Sequence, residues 1–100
     1  KENSVSTQKV LNFDTTMVFK VQILAVTSQL KSGASELKGI KDVNYFIENG
    51  MYKYTVGEET EYKKIQEVRR KLLDKFPNAF IIAFKGERKL TLKEMQSAIK

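Results

Sequence analysis

Alternation of apolar and polar positions marks the first structured segment of the chain, residues 19–26. Its β-branched and aromatic content favours a strand, in which successive side chains point to opposite faces of a sheet. One predicted face carries Phe19, Val21, Ile23 and Ala25, and the other carries Lys20, Gln22 and Leu24. The first face is apolar and is expected to lie on the core side, which leaves the second face open.

A β-hairpin is predicted where residues 43–48 and 51–56 flank the dipeptide Asn49-Gly50. Asn-Gly is a strong hairpin signal because both central residues of a type I′ turn require positive φ. A two-residue turn also fixes which residues face each other. The pairs expected on the core face are Val43 with Val56, Tyr45 with Tyr54, and Ile47 with Tyr52. The pairs expected on the open face are Asn44 with Thr55 and Phe46 with Lys53.

A long helix is predicted from Thr60 to Phe76, where apolar residues recur at helical spacing and Pro77 follows. Residues 27–41 have no clear period, and only residues 34–38 could form one short helix there. Most of that segment is therefore expected to be loop.

Residues 79–85 are an almost continuous apolar run, which is typical of a well-buried strand. Such a run does not define which face is inward. The bulkier set, Phe80, Ile82 and Phe84, is expected to point into the core, leaving Ile81, Ala83 and Lys85 on the open face. The opposite facing is the alternative, and it would make the open face strongly aromatic. Thr91 and Glu94 then have the spacing of a capping box, which predicts a final helix at residues 92–99.

The predicted order is strand, helix, strand, strand, helix, strand and a terminal helix. With right-handed crossovers, this βαββαβ order gives an α+β fold with a four-stranded antiparallel sheet and helices on one face. The domain is expected to span residues 17–100, and residues 1–16 to be a linker or a docking segment. Residues 19–23 faintly repeat as residues 52–56, which would make these the two central strands.

The composition argues against most enzyme classes. The 100 residues contain no cysteine and no histidine, which removes thiolate nucleophiles, the commonest general base and the commonest zinc ligands. No metal or cofactor is expected, and no stretch approaches the ~20 apolar residues of a membrane span. The net charge of +6 favours an acidic or polyanionic partner without specifying which.

Four short segments carry a resemblance to a known family. They are Lys20-Val21-Gln22-Ile23-Leu24-Ala25, Gly50-Met51-Tyr52-Lys53-Tyr54-Thr55-Val56-Gly57, Lys75-Phe76-Pro77-Asn78-Ala79-Phe80 and Ala83-Phe84-Lys85. In this order and spacing they resemble SPOR (sporulation-related repeat) domains, most closely those at the C-terminus of Bacteroidetes N-acetylmuramoyl-L-alanine amidases. The likeness covers roughly residues 18–88. Where SPOR domains usually have Gly-Ser after the first strand, this chain has Leu24-Ala25.

The resemblance implies a ferredoxin-like fold, of the kind that RNA-recognition modules also use. It implies binding to peptidoglycan glycan strands, denuded septal strands in particular, without catalysis. It further implies a periplasmic or cell-envelope location, with export as part of a larger precursor such as a cell-wall amidase. This chain lacks the ligands for the amidase reaction itself.

The candidate glycan-binding residues are those of the expected open face: Lys20, Gln22, Leu24, Asn44, Phe46, Lys53 and Thr55. The family's strand-one glutamine corresponds to Gln22, whose amide could bond a sugar acetamide, although a solvated strand residue is the alternative. Phe46 could stack on a pyranose ring or instead pack under the linker or another chain. Lys20 and Lys53 could pair with lactyl carboxylates or be ordinary surface lysines.

Two other functions compete with glycan binding. A single-stranded nucleic-acid binder would share the fold and the positive charge, but no aromatic is expected on the outward side of the central strands, where RNA-recognition modules stack bases. An acylphosphatase-like hydrolase needs an arginine in the first strand-to-helix loop, and residues 26–33 contain none.

Overall fold

The computed structural model describes residues 17–99, which form an α+β domain. The strands are β1 (Met17–Val26), β2 (Val43–Glu48), β3 (Met51–Glu59), β4 (Phe80–Lys85) and β5 (Arg88–Lys89). The helices are α1 (Tyr62–Leu72) and α2 (Leu92–Ile99), and a short 3₁₀ helix covers Ser35–Leu37. The prediction for residues 1–16 lies outside the described residues.

The strands of residues 17–99 form one antiparallel sheet in the order β2-β3-β1-β4-β5. The order of the first four strands is compatible with a ferredoxin-like arrangement, with β1 and β3 in the centre as the internal repeat predicted. The fifth strand was not predicted. It is two residues long and pairs only with the end of β4 across a turn at Gly86, so it offers no alternation that a sequence could reveal.

The hairpin between β2 and β3 is confirmed in turn and register. Asn49 and Gly50 have φ angles of 55° and 75°, the positive values that a type I′ turn requires. Every predicted pair is present: Val43 with Val56, Asn44 with Thr55, Tyr45 with Tyr54, Phe46 with Lys53, and Ile47 with Tyr52. Local turn chemistry and alternation therefore suffice to specify this part of the sheet.

The predicted facing of Leu24 and Ala25 is wrong, because a β-bulge in β1 reverses it. Gln22 pairs with Thr55 of β3, but the next pair is Leu24 with Tyr54, so Ile23 is an extra residue in β1. The bulge reverses the alternation beyond it. Leu24 consequently packs against the core beside Tyr54, whereas Ala25 is exposed and lies opposite Lys53.

The facing of β4 is the reverse of the prediction. Phe80, Ile82 and Phe84 pair with Gln22, Lys20 and Val18 of β1. Ile81, Ala83 and Lys85 pair with Val21, Phe19 and Met17. Directly opposite residues share a face, so the smaller set faces the core. The Phe19 ring fills most of the space on the core side at this pair, so only a small side chain fits opposite it. Ala83 takes that position and is almost fully buried.

The main core lies between the sheet and the two helices of the described chain. It joins Phe19, Val21 and Tyr54 of the sheet to Ile65 of α1 and Met95 of α2. The helix α1 is shorter than the predicted 60–76, and the chain turns after it before burying Phe76.

A bulge glycine brings β3 close to α1. Gly57 has φ +84°, and a Cβ atom added there would lie 3.0 Å from Val68 Cγ1 and 3.2 Å from Ile65 Cδ1. The register between β1 and β3 also shifts by one residue at this point, between Phe19 and Val21 of β1. Only glycine allows both the backbone conformation and this approach.

The outer end of the hairpin is less covered than predicted. The expected core residues Tyr45 and Ile47 are 45% and 60% exposed. The reason is that residues 27–41 supply only a 3₁₀ helix, whose Leu37 is buried, instead of a full helix over β2. The preceding loop is nevertheless anchored, since the Leu30 amide donates a 2.8 Å hydrogen bond to the Tyr54 hydroxyl.

The predicted final helix is confirmed together with its capping box. The Glu94 amide donates to Thr91 Oγ1 at 3.1 Å, and the Thr91 amide donates to Glu94 Oε1 at 2.8 Å. Leu90 and Met95, on either side of the cap, are both buried in the main core.

Candidate functional site

The sheet face opposite the main core carries a second group of side chains, which we call the Gln22 face. Strand pairing assigns to it Lys20 and Gln22 of β1, Asn44 and Phe46 of β2, Lys53 and Thr55 of β3, Phe80, Ile82 and Phe84 of β4, and Lys89 of β5. The face therefore combines amide, hydroxyl, cationic and aromatic groups contributed by all five strands.

The centre of the Gln22 face is formed by Gln22 and Thr55, which lie directly opposite each other on the two central strands. Gln22 is 8% exposed and Thr55 is 2% exposed. Ile82 of β4 is buried beside them in the sheet. Gln22 Oε1 is buried and has no hydrogen-bond partner among the residues that the structure describes. A buried amide oxygen without a partner is costly, so it marks a position where an external donor would be favourable.

Two aromatic rings of the Gln22 face contact each other. The Phe46 and Phe84 ring centroids are 5.2 Å apart in an edge-to-face geometry. Their strands, β2 and β4, are separated by β3 and β1. In a flat sheet, three strand spacings alone would keep them at least ~14 Å apart, so the contact shows that the sheet curls around the Gln22 face.

An ion-pair cluster joins the two edges of the curled sheet. Glu48 Oε1, at the end of β2, lies 2.5 Å from Lys53 Nζ and 3.0 Å from Lys89 Nζ of β5. The hydrogen bond from Lys53, followed by that from Lys89, lowers the pKa of the Glu48 carboxyl below its ordinary value. Glu48 is therefore a carboxylate at neutral pH, and it compensates two of the lysines of this face.

Two lysines also lie against the aromatic rings. Lys20 Nζ is 5.0 Å from the centre of the Phe84 ring, and Lys89 Nζ is 5.8 Å from the centre of the Phe46 ring. Both distances fit cation–π contacts. The rings and the ammonium groups consequently form one connected group of side chains on the Gln22 face, which we call the rim.

Six of the seven predicted site residues share this face: Lys20, Gln22, Asn44, Phe46, Lys53 and Thr55. Asn44 is exposed, whereas the others are partly or fully buried. Leu24 is the exception, because the bulge at Ile23 turns it towards the main core.

Sequence reasoning missed five members of the same surroundings: Glu48, Phe80, Ile82, Phe84 and Lys89. The apolar run of β4 gives no signal for its facing, and Lys89 lies on a strand too short to predict. Phe84 belongs to this face under the alternative facing of β4, the one that makes the open face aromatic, and that alternative is the facing observed.

Within residues 17–99, acidic, histidine and cysteine side chains do not gather in any group of three or more that could hold a metal ion. Neither α1 nor α2 has both the length and the apolar character that a membrane span needs. The groups present on the Gln22 face offer hydrogen bonding, ion pairing and stacking.

No protein-family model, curated protein or solved structure matches this chain.

Proposed function

We propose that this domain is a non-catalytic module that binds peptidoglycan glycan strands on its Gln22 face. The observation that carries the proposal is the buried Gln22 Oε1 without a partner among the described residues. Each sugar of a glycan strand presents an acetamido N–H, which is a donor suited to an amide oxygen. Gln22 is also the position that corresponds to the strand-one glutamine of SPOR domains.

The other groups of the face suit the same ligand. Exposed Asn44 offers a partner for sugar hydroxyls, with Thr55 buried beside Gln22, and Phe46 and Phe84 offer apolar surface for pyranose rings. Lys20 and Lys53 supply positive charge for the lactyl carboxylates that are free when stem peptides have been removed. The net charge of +6 supports an anionic ligand of this kind.

In the cell, the module would direct a cell-envelope protein, such as an amidase, to denuded septal strands in the periplasm. The SPOR resemblance supports this role, and the ferredoxin-like sheet proposed for the domain supplies the binding face. The domain itself would position its parent protein and perform no reaction.

The proposal is tested by binding to sacculi treated with an amidase, which are rich in denuded glycan, compared with untreated sacculi. Gln22→Met should abolish most of the selective binding. It should also raise the free energy of unfolding by about 1 kcal/mol, because it replaces a buried unsatisfied oxygen with an apolar group of similar length. Gln66→Met, at an exposed position of α1, is the matched control and should change neither quantity.

Two results would contradict the proposal: no binding of the wild-type domain to treated sacculi, or undiminished binding by a correctly folded Gln22→Met variant.

Single-stranded nucleic acid is the second candidate ligand, and one observation favours it. Phe80 is 48% exposed on the Gln22 face, which also carries lysines that could contact phosphates. The central strands β1 and β3 still carry no aromatic on this face. Retention on single-stranded RNA at moderate salt, with no binding to either kind of sacculus, would favour this function over glycan binding.

A further inference from the structure

The Glu48 ion-pair cluster, formed by Glu48, Lys53 and Lys89, has the geometry of an occupied carboxylate-binding site. Two ammonium groups from different strands converge on one oxygen, Glu48 Oε1, at 2.5 and 3.0 Å. The Lys53 side chain is only 15% exposed, and that of Lys89 is 26% exposed. Partly desolvated cations interact strongly with any carboxylate that reaches them, whether it belongs to the protein or to a ligand.

The cluster borders the centre of the Gln22 face. Lys53 is two residues from Thr55 on β3, so both side chains point to the same side of the sheet, and Thr55 lies opposite Gln22. A cation pair and a buried amide oxygen therefore occur on one face within a few strand positions. A sugar that carries both a carboxylate and an acetamido group presents groups complementary to these two.

Glu48 is the movable member of the cluster. It is the last residue of the edge strand β2, immediately before the Asn49-Gly50 turn, and its side chain is 34% exposed. Its rotation away from the lysines into solvent requires no change in the sheet. Lys53, by contrast, lies on a central strand and is held among its neighbours.

We infer that Lys53 and Lys89 form the subsite for a ligand carboxylate, and that Glu48 occupies this subsite as an internal competitor. The inference rests on the proposed glycan-binding function and deepens it, because it assigns the acidic group of the ligand to particular residues. Binding then exchanges one carboxylate for another, so the domain discriminates strands with free carboxylates from strands in which these are masked by peptide.

The test compares two forms of one probe: glycan strands released from sacculi by an amidase, and the same strands with carboxylates converted to neutral methylamides. Glu48→Gln removes the competing charge while keeping the side-chain shape. It should bind the carboxylate strands about fivefold more tightly than wild type, because the partly exposed Glu48 carboxylate no longer competes with the ligand for the two lysines. Affinity for the neutral strands should stay unchanged.

Glu67→Gln is the matched control, since it makes the same charge change at an exposed ion pair with Arg70 on α1. It should bind both probes as the wild-type domain does. Lys89→Gln is the second variant, and it should weaken binding to carboxylate strands about fivefold and leave neutral strands unaffected. Thermal unfolding measured on each variant establishes that it is folded.

The possible failures are distinguishable. If the wild-type domain binds both probes equally, or if folded Glu48→Gln binds carboxylate strands no more tightly, the competitor role is wrong and glycan binding stands. The inference also fails if Lys89→Gln loses affinity for both probes alike. If the wild-type domain binds neither probe, the proposed function fails together with the inference.

Discussion

The two faces of the sheet bury their side chains in different ways. On one face, Phe19, Val21 and Tyr54 are covered by helices, and the contacts are almost entirely apolar. On the Gln22 face, among the residues described, Gln22 and Thr55 are buried, and long side chains of the rim reach across from the sheet edges. A helix cannot leave its core without unfolding the domain, whereas side chains can exchange partners. The second face is therefore the one suited to binding.

The largest difference between the faces should appear when a buried isoleucine is truncated. Ile65→Ala removes a fully buried side chain from the helix-covered core and should lower the free energy of unfolding by about 3 kcal/mol. Ile82→Ala on the Gln22 face should cost about 2 kcal/mol, because the partly exposed side chains around it can collapse into the space. Urea denaturation measures both. An equal or larger loss at Ile82 would mean that this face contributes as much to stability as the core.

A second prediction concerns the close contact of β3 with α1. Gly57→Ala should destabilise the domain by about 2 kcal/mol, because it combines a left-handed backbone conformation with crowding against Val68 and Ile65. Gly33→Ala is the control, since Gly33 also has positive φ but has open space around it. It should cost only about 1 kcal/mol. Identical losses in thermal unfolding would show that the contact with α1 adds nothing.

The ring contact over the Gln22 face should be measurable as a coupling energy. Phe46→Leu, Phe84→Leu and the double variant form a cycle with an expected coupling of about 1 kcal/mol, because the edge-to-face contact is lost when either ring is removed. Chemical denaturation of the four proteins provides the measurement. Additive effects would mean that the rings do not hold the two strands together.

The smallest expected effect is the pH dependence of the Glu48 cluster. Because the folded-state pKa of Glu48 lies below its ordinary value of 4.5, the folded form binds fewer protons than the unfolded form between the two values. Its stabilising contribution is fully present above about pH 4.5 and is lost as pH falls through the lower, folded-state pKa. The Tm difference between wild type and Glu48→Gln should therefore shrink on acidification. A difference that stays constant from neutral to acidic pH would contradict this.

The candidate site was predictable in part. The Asn49-Gly50 turn fixed the facing of Asn44, Phe46, Lys53 and Thr55, since pairing across a two-residue turn is a local property. The facing of Lys20 and Gln22 followed from strand alternation up to the bulge. Leu24 was misassigned because a bulge depends on how two distant segments fit together, which alternation within one segment does not report.

The sequence by itself determined the order of the main elements, the hairpin register and the capped final helix, because each depends on residues close together in the chain. Only the tertiary structure decided the facing of β4, the bulge at Ile23 and the contacts of Phe46 with Phe84 and of Glu48 with Lys89. These features arise from packing and sheet curvature, which bring together residues some forty positions apart. The centre of the Gln22 face could thus be predicted from local pattern, whereas its rim could not.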